Sequence, residues 1–209
     1  MPQLSAVLLH VGEDTVELAR RSLELQTLTL AETVEVVGVV PFGRAFNEAV
    51  QRVQTEYFLQ CDADMQLYPH CAEHLLEPFL QDPQVAVSVG HLADPLQGKI
   101  RGVKIFRTRA CREFSVPADQ PDAESRHIQI LEQNGWKMVT LPEVLGTHRE
   151  QPGEERYHFE RFRLLGLKIR IKSSWWDLTY RLVQLRACLP RPEAISGAIG
   201  LWLGLSVVD

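Results

Sequence analysis

With 209 residues, 45% of them hydrophobic and 23% charged, the chain can build one globular domain with a substantial core and has room for a small appendage. Its net charge of −5 shows no basic excess, which argues against nucleic acid as a partner. The four cysteines, Cys61, Cys71, Cys111 and Cys188, form no C-x-x-C pair, which speaks against a zinc ribbon or a dithiol redox motif and leads us to expect reduced thiols in a cytoplasmic compartment.

Leu4 to Leu9 is an apolar run suited to a buried first strand, and with no basic segment ahead of it a secretory signal is not expected. Asp14-Thr15-Val16-Glu17 has the Asp and Glu spacing of a capping box, and Val16, Ala19 and Leu23 recur at helical steps after it. Val34 to Val40 is rich in β-branched residues and reads as a second strand, stopped by Pro41. From Gly43 to Gln54, Ala45, Phe46, Ala49, Val50 and Val53 fall at helical spacing.

This helix delivers the chain to Glu56 to Asp64, a mostly apolar run that ends in Asp62 and Asp64. Strand and helix have by then alternated as β-α-β-α-β, the pattern of a parallel sheet with right-handed crossovers. Open α/β sheets bind ligands at the carboxyl ends of their strands. Alternation along an extended segment would send Asp62 and Asp64 the same way, and two like charges held so close call for a cation. Hard oxygen ligands suit magnesium or manganese, which bridge protein carboxylates to substrate phosphates. At this point a second reading stays open, in which one aspartate caps the next helix, opened by Pro69.

That helix carries Leu75, Leu76, Phe79 and Leu80 before Asp82-Pro83 ends it, and Val85 to Val89 is a fourth strand. His91 to Gly102 breaks into Asp94-Pro95 and Gly98 and reads as a loop near the site, before Gly102 to Arg107 resumes as a strand. Val116 to Pro121 is irregular, Asp122 to Asn134 is a helix ended by Gly135, and Met138 to Leu141 is a last short strand with Leu145-Gly146-Thr147-His148 beyond it. The tail differs. Arg156, Arg161, Arg163, Lys168, Arg170, Lys172, Arg181, Arg186 and Arg191 interleave with apolar residues that include Trp175 and Trp176. Such a basic amphipathic stretch can lie on an anionic membrane surface, mediate self-association, or simply pack one face and solvate the other. The uncharged run Ala194 to Val208 is short for a membrane span and holds three glycines.

The order of these features resembles the family 2 type of glycosyltransferase with its GT-A nucleotide-sugar fold. Ser22-Leu23 and Gln26-Thr27 are similar to the end of that family's first helix, and Gly43-Arg44-Ala45-Phe46-Asn47-Glu48-Ala49 is similar to its second. Tyr57 to Asp64 looks like the strand with the DXD motif, while Glu124, Gly135-Trp136-Lys137-Met138-Val139, Leu141-Pro142-Glu143 and His148 resemble its acidic helix and late histidine. The resemblance covers residues 4 to 150 and implies a GT-A-like α/β fold with a mainly parallel central sheet, helices on both faces and a C-terminal helical extension, divided as 1–150 and 151–209.

The resemblance further implies an inverting, metal-dependent transfer from a UDP- or GDP-sugar to a glycan, lipid-linked or small-molecule acceptor, in the cytoplasm or at the inner face of the membrane. Carried over residue by residue, Asp62, Asp64 and His148 would hold Mn2+ or Mg2+, Asp62, Arg44 and Asn47 would contact the donor, and Glu124 would be the general base with Asp122 its competitor. The chain departs from the pattern in two places: Ala123 stands where an acid precedes the base, and Gly38 to Gly43 lacks the acidic cluster that helps hold the nucleotide base. Both departures suit an alternative, a non-catalytic GT-A-like scaffold. A dehalogenase-type phosphotransferase fits less well, because Met65-Gln66-Leu67 offers no hydroxyl after the aspartates.

Overall fold

A computed structural model describes residues 3–95, 97–120, 122–149, 155–172, 178–179, 182–183, 185–186 and 192–206. Trp175, Trp176 and Cys188 lie outside them. The chain divides into two compact units, one comprising Met1–Ala93 with Lys99–Arg149 and the other Asp94–Gly98 with Glu150–Asp209.

The first unit is a seven-stranded mixed sheet in the order β2-β1-β3-β6-β5-β7-β4. Its strands are β1 (Leu4–His10), β2 (Thr33–Val37), β3 (Tyr57–Asp62), β4 (Met65–Leu67), β5 (Val85–Asp94), β6 (Gly98–Arg107) and β7 (Lys137–His148). β1 pairs in parallel with β2 and β3, and β5 with β7, whereas β3–β6 and β4–β7 are antiparallel. Helices α1 (Val16–Glu24), α2 (Phe42–Arg52), α3 (Cys71–Gln81), α4 (Thr108–Glu113) and α5 (Ala123–Gln133) connect them.

Continuous apolar runs make strands buried on both faces, and the alternation along β3 splits the core in two. Tyr57, Leu59 and Cys61 join α1 and α3 residues such as Leu23, Leu75 and Phe79. Phe58 faces the other way, into a cluster with Phe46, Val50, Phe106 and Leu131. Phe46 meets Phe106 edge-on with ring centroids 5.0 Å apart, and Phe58 stacks on Phe106 at 5.4 Å. Beneath the other end of β3, buried Arg107 donates to the Val85 carbonyl, the Glu56 carboxylate and the Tyr57 hydroxyl at 2.9 to 3.0 Å. That network offsets the cost of a buried guanidinium.

Several sequence expectations change. α1 begins after Thr15 with no side-chain cap, so the Asp14 capping box is not formed. Pro69 stands in the turn ahead of α3, which starts at Cys71. The stretch read as a loop from His91 to Gly102 is largely strand, because β5 runs on to Asp94 and β6 starts at Gly98. β7 is twelve residues long and takes in Leu145 to His148, since β4 offers its far half a partner.

In the second unit α6 (Glu155–Lys172) packs on α7 (Pro192–Ser206) around Phe162, Ile169, Leu185, Ala194 and Leu201. Glycine permits the approach. A Cβ on Gly200 would overlap the Phe159 carbonyl oxygen and one on Gly204 the Arg163 carbonyl oxygen. These contacts advance together along both helices, so the pair runs parallel.

Candidate active site

The site gathers where β3 ends. Side chains at Phe58, Gln60 and Asp62 share one face, and Gln60 Nε2 donates to Asp62 Oδ1 at 2.9 Å. Burial, then repulsion from Asp64, pushes the Asp62 carboxyl up to about 7. The chain turns at Ala63, whose amide donates to the Leu9 carbonyl at 3.2 Å. Asp64 therefore sits in the β3–β4 turn and not on a continued strand, so its approach to Asp62 comes from the turn and not from alternation.

β4 then pairs with the last residues of β7, setting Met65 opposite His148. This register brings residues 84 positions apart together: His148 Nε2 lies 3.0 Å from Asp64 Oδ2, and the Arg149 amide donates to the Asp64 carbonyl at 2.6 Å. His148 is buried. Two carboxylates in mutual repulsion beside an imidazole nitrogen are a donor set that suits a hard divalent cation. Among the described residues, no three His, Cys, Asp or Glu side chains stand close enough to enclose an ion, so Asp62, Asp64 and His148 form a pair with a neighbour and not a closed trio.

A second charged group faces them. The register of β3 with β6 sets Lys104 opposite Gln60. Lys104 is buried, and its Nζ donates to the Gly102 carbonyl at 2.7 Å and pairs with Glu124 Oε1 at 2.8 Å. Glu124 stands in the first turn of α5, about a third exposed, while Ala123 beside it is buried in the aromatic cluster. An acid at position 123 would be forced into that core, which accounts for the alanine. Asp122 is only 5% exposed and serves as the residue before α5, so of the two acids Glu124 is the one that opens outward.

Lys104 and Gln60 are the site residues that sequence reasoning missed. The signal was a lone lysine inside an apolar strand, which must find a partner if buried.

Arg44 and Asn47, expected to touch the donor, also make contacts within the protein. Asn47 uses both ends of its amide on Val116, donating to the carbonyl at 2.9 Å and accepting from the amide at 3.0 Å. Through these two bonds it anchors the segment before α5. Gly43 lies against the same segment: a Cβ there would come within 2.9 Å of Ala118 and Pro117 backbone atoms. Arg44 pairs with Asp119 at 2.9 Å on the surface, with both side chains more than half exposed. A cavity of about 690 Å³ lined by Leu28, His70, Glu73, His74, Leu76, Glu77 and Leu80 shares no residue with this site.

A mixed sheet of this order with acids at the end of its third strand defines the class, a GT-A-type nucleotide-sugar fold. Residues 40–124 match the family described as Glycosyl transferase family 2. No curated protein sequence matches it. Among solved structures it is similar to the mannosyltransferase PcManGT from Pyrobaculum calidifontis in complex with GDP-Man and Mn2+, at 13% identity and a TM-score of 0.64 over 100% of this chain and 76% of that one. It is also similar to glucosyl-3-phosphoglycerate synthase from Mycobacterium tuberculosis in complex with Mg2+ and uridine diphosphate, at 13% identity and a TM-score of 0.57 over 80% and 78%. S. aureus TarS 1-349 aligns at 12% identity and 0.56 over 90% and 72%.

Proposed function

We propose that the protein moves a sugar from a nucleoside-diphosphate sugar to an acceptor hydroxyl, with inversion at the anomeric carbon and with a divalent metal ion. The observation that carries this reading is the split of the carboxylates: Asp62 and Asp64 crowd the end of β3, while Glu124 is held apart on α5 by Lys104. The two groups suit two tasks. Asp62, Asp64 and His148 would hold Mn2+ or Mg2+, which when bound neutralises charge on a departing diphosphate. The similar mannosyltransferase and synthase, solved with GDP-Man and Mn2+ and with uridine diphosphate and Mg2+, support that choice of donor and ion.

Glu124 is the general base. As the acceptor oxygen bonds to the anomeric carbon, the bond from that carbon to the diphosphate oxygen breaks with its electron pair, and the hydroxyl proton passes to Glu124. A single displacement of this kind inverts the centre. Lys104, 2.8 Å from Glu124 Oε1, keeps the carboxylate aimed, and so acts as a positioning residue. Arg44, once released from its exposed partner, is available to the donor diphosphate. The acceptor class is a glycan, a lipid-linked saccharide or a small molecule, and the setting we propose is cytoplasmic, at the inner face of a membrane.

Calorimetric titration with UDP and with GDP, each with and without Mn2+, tests the reading. One nucleotide should bind tightly only with the metal, and Asp64→Ala should abolish that binding. Glu124→Gln should leave it intact while transfer falls about 10²- to 10⁴-fold. If neither nucleotide binds the folded protein, the non-catalytic scaffold is the better reading.

A further inference from the structure

α3 opens with His70-Cys71-Ala72-Glu73-His74, two imidazoles one turn apart with a carboxylate between them, a spacing with which helices present ligands to zinc. The backbone is folded as that spacing requires. His70 is the residue before the first turn, and the His74 amide donates to the His70 carbonyl at 3.1 Å. Cys71 and Ala72 turn into the core, which leaves the outer face to the polar residues. There His70, His74 and Glu77 follow at steps of four and three, hence on one stripe. All three line the cavity of about 690 Å³, together with Leu28, Leu76 and Leu80.

His70 is held as a metal-binding histidine is held. Its Nδ1 lies 3.2 Å from Glu73 Oε2, and Thr27 Oγ1 donates to that same oxygen at 3.2 Å. A carboxylate at Nδ1 fixes the proton there and leaves the Nε2 lone pair for a cation. The His70 and His74 ring centroids stand 6.4 Å apart. Two imidazoles sharing one tetrahedral ion at about 2.1 Å have centroids about 5 Å apart. As the side chains stand, no three among the described residues enclose an ion. The distance left to close is small, and His70, His74 and Glu77 are all exposed, so side-chain rotation closes it without moving the helix. We propose that His70, His74 and Glu77 form a cation site for a borderline divalent ion of the zinc class, with Glu73 as the positioning residue that orients His70. Two nitrogen donors and one oxygen set it apart from the carboxylate-rich end of β3, which suits magnesium or manganese. The inference is independent of the transfer chemistry.

The test is calorimetric titration of the full, untagged chain with zinc chloride and with manganese chloride, in an Asp64→Ala background that disables the acids at the end of β3. The same titration of the wild-type chain in saturating Mn2+ repeats the measurement without that substitution. One zinc ion per chain should bind at this site with micromolar affinity, and manganese at least about tenfold more weakly. His70→Ala and His74→Ala should each weaken zinc about tenfold or more, and so should Glu77→Gln. Glu73→Gln removes no ligand yet should also weaken zinc about tenfold, whereas a merely structural role would shift the melting temperature and leave zinc affinity alone. These side chains are exposed, so the zinc-free variants should melt close to their parent. Unchanged zinc binding in the double variant His70→Ala, His74→Ala would overturn the site, as would zinc binding only at millimolar concentration. Unchanged binding in Glu73→Gln would overturn the orienting role.

Discussion

The sheet unit fills its interior with large side chains, and the helical unit closes its interior by leaving side chains out. Phe46, Phe58 and Phe106 interlock under β3 with centroids 5.0 to 5.6 Å apart, so the core there is a matter of volume. Between α6 and α7 the contact is backbone against backbone at Gly200 and Gly204. The difference teaches that the two regions respond oppositely to a change of size. Removing atoms should hurt the first, and adding them should hurt the second.

The largest effects follow from that opposition. Phe46→Ala leaves a cavity among four ring neighbours, Phe42, Phe58, Phe106 and His127, and should cost about 3–5 kcal/mol in denaturant unfolding followed by a probe in the sheet. Gly204→Leu places its Cβ against the Arg163 carbonyl, a backbone atom that cannot swing aside, and should cost about 3 kcal/mol or more in the helical unit. Hydrogen exchange resolves the two. Amides of α6 and α7 should lose protection in Gly204→Leu while those of β1 and β3 keep theirs, and the pattern should reverse in Phe46→Ala. Equal loss across both units in either variant would break the comparison.

What could be read from the sequence follows the same division. Strands β1, β2, β3 and the start of β5 were visible because parallel strands buried on both faces read as unbroken apolar runs. β4 was not, being three residues long, and without it nothing in Lys137 to His148 marked a strand of twelve, since its first eight residues alternate only weakly between exposed and half-buried. Asp62 was placed by its strand. Asp64 came out beside it for a different reason than alternation, because the chain turns at Ala63. His148 reached Asp64 through β4–β7 pairing, a long-range register that no local pattern encodes. Asn47 was singled out for the donor from sequence because an amide suits a ligand and a backbone equally well, and the fold adds its two bonds to the Val116 backbone. The glycines before Gly204 were seen as interruptions of an apolar run, and their use against α6 required the partner helix.

A middle-sized effect sharpens the comparison within the sheet unit, where charge and not volume is stressed. The Asp62 carboxyl titrates near 7 against an ordinary value of 3.8, with burial the larger cause and Asp64 the next. Between those values the folded protein holds a proton that the unfolded chain has released, so folding stability falls as pH rises through this window, and the penalty is complete above about 7. Asp62→Asn removes the charge and should raise stability at pH 8 by roughly 2 kcal/mol in metal-free buffer, with little gain at pH 4. The same variant should bind Mn2+ and nucleotide more weakly, so that stability and ligand affinity move in opposite directions. Thermal melts across that pH range check the sign, and a variant no more stable at pH 8 than wild type would show that Asp62 is not under strain.

The smallest effect concerns the segment that joins α4 to α5. Asn47→Ala removes both hydrogen bonds to Val116 and leaves a buried amide and carbonyl to find water, at a cost of about 1–2 kcal/mol. Because Val116 leads by a short chain to the start of α5, the variant loosens the support of Glu124 without touching it. Nucleotide affinity should then stay within about twofold of wild type, while the rate of transfer falls several-fold through the displaced base. A donor-binding role would produce the reverse, a loss of affinity with the rate at saturation preserved. Calorimetry and initial rates on one preparation separate the two, and a tenfold loss of nucleotide affinity would return Asn47 to the donor site.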